Sequence, residues 1–230
     1  MKTMENNFIH ELDENINEQW RQIKKGIFFK LIRENKVEQQ LYHDLMIQIY
    51  HYTRHNSINQ AAASINVPTH ANAILKYVYR HAFEEYGHEE MAIRDLESIN
   101  ILDRSKLEQP PLPATEALIG YLYAVAQRYG AIPRLGYSQW AENAYGHINE
   151  VVTKIRRDLL LEDINMSFFV SHSKIDKKHS EQVAEAIKTF CKTPEDKNLV
   201  KVVAQTTLYL TGKMLDGVAE NYLEHRVRYA

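Results

Sequence analysis

The feature that constrains this chain most is a helical stripe of core positions that includes ionisable side chains. In the segment 168–190, His172, Asp176 and His179 share a 3,4,3,4 spacing with apolar residues, which on an α-helix defines one core-facing side. Burying two imidazoles and a carboxylate is costly unless they bond to one another or share a metal ion. The segment therefore predicts a helix whose buried face needs a partner. The full stripe is Phe169, His172, Asp176, His179, Val183, Ala186 and Phe190.

A second stripe with the same anomaly lies upstream. Its apolar ends are Ile74 and Ile99, and its middle positions include His81, Glu85 and His88. Glu85 and His88 have the Glu-x-x-His spacing with which helical bundles build di-iron sites. Nitrogen and carboxylate donors without thiolates suit iron or manganese, and carboxylates that can bridge favour two ions. A buried hydrogen-bond network is the alternative for a single stripe, and the second stripe favours a metal.

Other ionisable residues are expected to have structural or solvated roles. Glu84 and Glu90 flank the second stripe and are predicted to face solvent, while Asp95 at its far end is predicted to support the ligands or helix packing. The remaining histidines of interest have no acidic residue on the same face, and the single cysteine is at a predicted helix end without a surrounding motif. These residues are His43, His51, His55 and Cys191.

The chain is predicted to be all-α. Only 8 Gly and 6 Pro occur, and their clustering favours long helices with short connections. A loop is expected at 103–113, and a kink or helix boundary near Gly130, Pro133 and Gly136. The predicted helices span 5–34, 37–65, 69–99, 115–129, 132–161, 165–190 and 194–222.

Composition excludes several classes of function. A chain of 230 residues with 44% hydrophobic residues, 25% charged residues and a net charge of −2 predicts one globular domain over 1–230 and gives no electrostatic case for nucleic acid or an anionic membrane. The N-terminus is polar and no apolar run approaches the length of a membrane span. We therefore expect a cytoplasmic protein. One cysteine excludes an intrachain disulfide and a cysteine-ligated cluster.

With these motifs, the chain resembles the haem-oxygenase-like dimetal (di-iron) oxidases, a branch of the TenA, PqqC and CADD-like superfamily. The resemblance covers about 71–190 and is most specific in His-x3-Asp-x2-His, here His172, Asp176 and His179. It implies a haem-oxygenase-like bundle of about seven to eight helices and a ligand in an intervening helix, Glu142. The family's first acidic ligand precedes the His88 position by three or seven residues. This sequence has Glu85 at the first spacing and His81 at the second, so either can complete the set.

The resemblance implies a non-haem di-iron oxidase or oxygenase that activates O2 on a small organic substrate of the amino-acid, fatty-acid or aromatic class. Iron is the expected metal, as two ions, with manganese as the alternative. Analogy within the fold family suggests a homodimer. Three other functions stay open. They are a TenA-like metal-independent hydrolase, a haem-binding protein and a non-enzymatic helical protein. The hydrolase would require a positioned cysteine.

Overall fold

The computed structural model describes the backbone of residues 2–229 and the side chains of residues 7–172 and 178–227. Within that part of the chain the only regular elements are helices, as predicted. The described residues form twelve α-helices, ten of them with at least eight residues, which is more than the seven to eight expected. They are α1 (Lys2–Ile23), α2 (Ile27–Glu34), α3 (Gln39–Thr53), α4 (Asn56–Ala62), α5 (Asn72–Glu84), α6 (Glu89–Ser98), α7 (Ser105–Glu108), α8 (Pro113–Arg128), α9 (Ala131–Ala141), α10 (Ala144–Leu159), α11 (Ser167–Phe190) and α12 (Pro194–Tyr229), with a 3₁₀ turn at Asp163–Met166.

The extra helices arise because long predicted helices are divided. The helix predicted over 5–34 breaks before Gly26, where a β-carbon would lie 2.4 Å from Asp216 Oδ1. Asp216 also accepts a hydrogen bond from the backbone N–H of Phe28 at 3.2 Å. A glycine therefore lets the start of α2 approach α12 closely. The helix predicted over 37–65 likewise ends at Thr53 and resumes at Asn56.

The stripe predicted over 69–99 is not one helix, because α5 ends at Glu84 and α6 begins at Glu89. Gly87 in this break has a φ of +88°, a left-handed conformation that costs other residues free energy. This break places Glu85 and His88 in the connection between the two helices. The prediction of a continuous stripe was wrong here, although its ionisable members still face inward.

The helix predicted over 132–161 divides at a position that the sequence did not indicate. Gly130 forms the boundary before α9, with a φ of +79°, but α9 continues through Pro133 and Gly136 and ends at Ala141. Pro133 lies in the first helical turn, where its missing N–H costs little. Gly136 serves close packing instead, because a β-carbon there would lie 2.0 Å from the carbonyl oxygen of Val200 in α12.

The remaining predicted elements match more closely. α8 agrees with the prediction over 115–129, and α11 with that over 165–190 after a short 3₁₀ turn. α12 is longer than predicted, and the expected loop at 103–113 contains the single-turn α7.

The long α12 is the central element of the bundle and packs against α1, α2, α3, α8 and α9. α11 packs against α5, α6, α9 and α10. α5, α9 and α11 therefore meet in the interior. No described helix has the length and apolar character that a membrane span requires.

Candidate metal centre

Four buried side chains from three helices meet where α5, α9 and α11 converge. His81, Glu85, Glu142 and His179 each offer a ligand atom, and these atoms lie within 4.8 Å of one another. His81 Nε2 is 3.2 Å from Glu142 Oε1. His179 Nδ1 is 3.3 Å from Glu142 Oε2 and 3.5 Å from Glu85 Oε1. The arrangement is a compact mixed set of nitrogen and oxygen donors.

Glu85 also belongs to a second group, with His88 and His172, whose ligand atoms again lie within 4.8 Å of one another. Glu85 Oε2 is 3.6 Å from His88 Nδ1, and the rings of His88 and His172 are perpendicular with centroids 5.0 Å apart. His172 Nδ1 lies 2.6 Å from the carbonyl oxygen of Phe168. Because a carbonyl only accepts, Nδ1 carries the proton and Nε2 is the free donor atom, as is usual for metal-binding histidines.

Helix ends create this geometry. Glu85 follows the last residue of α5, His88 precedes the first residue of α6, and Glu142 follows the last residue of α9. Side chains at helix ends are released from the fixed helical spacing, so two carboxylates can reach one point from different helices. Asp95 of α6 accepts hydrogen bonds from two backbone N–H groups at the start of α11, those of Ser167 at 2.7 Å and Phe168 at 2.9 Å. Asp95 thereby anchors the start of the helix that carries His172 and His179.

The cluster keeps its carboxylates ionised. Burial alone would raise the pKa of Glu142, but hydrogen bonds with His179 and His81 outweigh it and lower the pKa to about 2. The pKa of Glu85 is also lowered: burial is the largest contribution and raises it, but the hydrogen bond with His179 and the charges of His81 and His88 together outweigh burial. Hydrogen bonds to Glu142 and Glu85 raise the pKa of His179 to about 10. Burial lowers the pKa of His88.

The residues present fit a divalent metal. Glu85 and Glu142 are 7% and 8% exposed, and among the described side chains only histidines form ion pairs with them. The Nδ1 atoms of His81 and His88 are buried without a hydrogen-bond partner. Buried anionic oxygens beside imidazole nitrogens that make no hydrogen bond form an environment that a dication stabilises.

The structure brings together six of the seven residues that the sequence singled out. They are His81, Glu85, His88, Glu142, His172 and His179. The seventh, Asp176, lies outside the described side chains. His81 and Glu85 were alternatives for one position, and both lie in the cluster.

Glu84 is the residue that sequence reasoning missed. It was predicted to face solvent, yet its Oε2 atom is buried and lies 3.5 Å from His179 Nε2. The reason is tertiary: α11 crosses the end of α5, so that consecutive glutamates contact the same imidazole. Glu90 is exposed, as predicted. The other histidines lie outside the cluster: His43 bonds to Asp44, His51 to the Lys106 carbonyl and His55 to Tyr123.

An apolar cavity of about 130 Å³ adjoins the cluster. Glu85, Glu142 and His172 form part of its wall, and its lining within the described residues contains no lysine or arginine. The cavity could therefore hold a small molecule with an apolar body and a polar group directed at the cluster. Its aromatic lining residues are Trp20, Phe28, Phe29, Tyr52, Tyr137, Trp140, Tyr145, Phe168 and Phe169.

Comparison with known proteins identifies the family. Residues 43–212 match a family described as iron-containing redox enzymes. The chain belongs to this family. It is also 40% identical to a domain of unknown function with a heme oxygenase-like fold from Shewanella denitrificans, with 94% of each chain covered and a TM-score of 0.91.

More distant structures share the fold of this iron-containing redox enzyme family member. A TenA homologue from Pyrococcus furiosus is 14% identical, with a TM-score of 0.72 over 92% of this chain and 99% of that one. A CADD-like protein of unknown function from Nostoc punctiforme is 12% identical, with a TM-score of 0.72 over 93% and 97%. A search of curated proteins found no match. The predicted haem-oxygenase-like, TenA- and CADD-related fold is confirmed.

Proposed function

We propose that this member of the iron-containing redox enzyme family is a non-haem di-iron oxidase or oxygenase that uses O2 to oxidise a small organic substrate. The observation that carries the proposal is the position of Glu85, whose carboxylate is shared by two groups of donors. A carboxylate between two sets of imidazoles is suited to bridging two ions.

The donor groups assign a role to each side chain. His81, Glu142 and His179 would hold one ion and His88 and His172 the other, with Glu85 between them and Asp176 as the remaining expected ligand. Bound iron would supply the redox and O2 chemistry that the side chains lack. Manganese stays the alternative, because the donors allow both metals; the family favours iron.

The protein's own contribution is orientation and exclusion of water. The Phe168 carbonyl fixes the His172 ring, and the ionised Glu85 and Glu142 offer acceptors without first losing a proton. The aromatic lining keeps the cavity apolar next to the cluster. This wall favours a substrate with an apolar body; amino-acid, fatty-acid and aromatic classes stay open.

A TenA-like metal-independent hydrolase is the main alternative, and it would need a reactive cysteine. Cys191, the single cysteine of the chain, lies twelve residues beyond His179, about 18 Å along a helix at about 1.5 Å per residue. Burial raises the pKa of its thiol to about 11, which disfavours the thiolate. A haem-binding role gains little support, because His81, His88 and His179 each face a carboxylate. A non-enzymatic helical protein would not require two adjoining groups of imidazole and carboxylate donors in its interior.

The wider expectations remain proposals. Structures that align over 92–94% of the chain support one domain over 1–230. A homodimer and a cytoplasmic location stay predictions.

Anaerobic loading with Fe(II) tests the proposed function. We expect about two irons per chain, loss of most of this iron in His172→Ala and His179→Ala, and an O2-dependent absorption change in the loaded wild-type protein that these two variants lack. Glu90→Ala, an exposed site near the cluster, is the control. Absence of specific iron or manganese uptake by a folded wild-type protein would overturn the proposal.

A further inference from the structure

A buried arginine lies next to the cluster, and none of the described side chains places a carboxylate in direct contact with it. Arg134 of α9 is 1% exposed. Its guanidinium donates to Asn59 Oδ1 at 2.7 Å, to Gln60 Oε1 and to Ser138 Oγ at 3.1 Å. It also donates to the backbone oxygen of Asn56 at 3.2 Å and to Asn56 Oδ1 at 2.7 Å. Every one of these acceptors is neutral.

Asn56 connects this arginine to the candidate metal centre. Its Nδ2 atom donates to Glu85 Oε2 at 3.0 Å, while its Oδ1 atom accepts from Arg134. Arginine has donors only, so the oxygen of the Asn56 amide must face it. The amide N–H is thereby directed at Glu85. If the amide were turned over, its nitrogen would face the N–H donors of Arg134, and two buried donors would oppose each other.

A purely structural link between α4 and α9 does not require a positive charge. Burying a cation among neutral groups is costly, and apolar residues of similar volume can join two helices without that cost. The charge has a use if it faces the carboxylate of Glu85 through Asn56, which contacts both residues. The chain Arg134–Asn56–Glu85 places a fixed cation and a fixed donor on the side of Glu85 opposite His179.

We propose that Arg134 and Asn56 are positioning residues that hold the shared carboxylate Glu85 in the orientation required to serve both donor groups. The inference rests on the proposed metal site. It assigns to α4, which contributes no expected ligand, the task of fixing the one carboxylate common to both groups. Asn56 acts directly on Glu85, and Arg134 acts through Asn56.

A matched pair of isosteric variants tests the proposal. Asn56→Leu and Asn59→Leu each remove one side-chain acceptor from Arg134, so that each leaves a buried donor unpaired and weakens the α4–α9 link in a similar way. Only Asn56 also donates to Glu85; Asn59 Nδ2 donates to the carbonyl of His55 instead. A structural role predicts equal effects of the two variants, whereas a positioning role predicts different metal binding.

The measurement is an anaerobic titration with Co(II) alone, followed by its visible absorption, on the wild-type protein and both variants. We expect Asn56→Leu to weaken Co(II) binding by about 10- to 100-fold, the usual effect of losing a residue behind a ligand, and to change the absorption spectrum. Asn59→Leu should keep the wild-type spectrum and affinity. If either leucine variant fails to fold, Asn56→Ser and Asn59→Ser replace the pair.

The outcomes separate this inference from the proposed function. Equal affinities and spectra in the two variants, with a wild-type protein that binds Co(II), would overturn the positioning role and leave the metal site intact. A wild-type protein that is folded and binds neither Co(II) nor Fe(II) would overturn both. Arg134→Lys is a further check, because lysine keeps the positive charge but lacks the planar set of N–H donors of arginine. We expect this variant to retain part of the Co(II) affinity that Asn56→Leu loses.

Discussion

The two oxygens of the Glu85 carboxylate have different neighbours. Oε1 faces His179 at 3.5 Å, while Oε2 faces His88 at 3.6 Å and accepts from Asn56. At the scale of single residues, this division links the two donor groups. The contacts with the neighbouring histidines lower the pKa values of Glu85 and Glu142 despite burial, so that the two carboxylates are ionised. His179, whose pKa these carboxylates raise to about 10, has to release a proton before it can bind a metal ion.

Glu84 is expected to orient His179 from the opposite side of the ring, since it faces Nε2 while Glu85 and Glu142 face Nδ1. Removing it in Glu84→Ala should weaken Fe(II) binding about 10-fold. The fold should not suffer, because a negative charge at the C-terminal end of α5 opposes the helix dipole. Fe(II) titration and urea unfolding of the variant check both statements. Unchanged affinity relative to Glu90→Ala would show that Glu84 has no part in the site.

Cys191 is expected to be chemically inert in the folded protein. It is 3% exposed, and burial raises the pKa of its thiol to about 11. At any pH well below that value the thiol is protonated, and reactivity increases only as the pH approaches it. Alkylation by iodoacetamide at pH 7 should therefore be slow in the native protein and fast in urea. Rapid native labelling, or loss of activity in Cys191→Ala, would favour the hydrolase alternative.

At the scale of helices, the site depends on where α5 and α9 end. The break after Glu84 contains Gly87, with its positive φ, and the break after Ala141 puts Glu142 into the cluster. Asp95 fixes the start of α11 through backbone hydrogen bonds. Two breaks between helices and the anchored start of α11 thus bring carboxylates to histidines that the helix interiors carry.

Gly87→Ala should therefore destabilise the protein by about 1–2 kcal/mol, the cost of a left-handed conformation for a residue with a β-carbon. A β-carbon at Gly87 would meet nothing within 4 Å, so the effect reports the backbone alone. Gly120→Ala is the matched control: it is equally free of contacts but lies within α8, where alanine should stabilise by about 0.5–1 kcal/mol. Urea unfolding of the metal-free variants measures both, and equal effects would contradict the role of Gly87.

The sequence predicted the helical class and the inward-facing ionisable residues because both follow from local spacing. The positions at which helices end were less accessible. Gly87 offered a signal for the break after Glu84, whereas no glycine or proline marks the break at Glu142 and Asn143. Glu84 could not be predicted from its own helix, since its contact with His179 depends on how α11 crosses α5. The link through Asn56 and Arg134 is likewise a product of tertiary packing.

At the scale of the whole molecule, the bundle surrounds one buried cluster and an adjoining apolar cavity. α12 packs against α9, which brings Glu142 to the cluster, and α1 and α2 contribute Trp20, Phe28 and Phe29 to the cavity wall. Apart from Glu85, Glu142 and His172, which belong to the cluster, the described cavity lining contains no carboxylate, imidazole or basic side chain. Under the proposed function, this arrangement would hold an apolar substrate next to the metal ions.

A crystal structure of the Fe(II)-loaded protein with anomalous data at the iron edge would test the proposed di-iron site most directly. We expect two anomalous peaks on either side of the Glu85 carboxylate, one bound by His81, Glu142 and His179 and the other by His88 and His172. A single peak would contradict the dinuclear centre. A well-ordered cluster in the iron-loaded crystal with no peak at all would contradict the metal site itself.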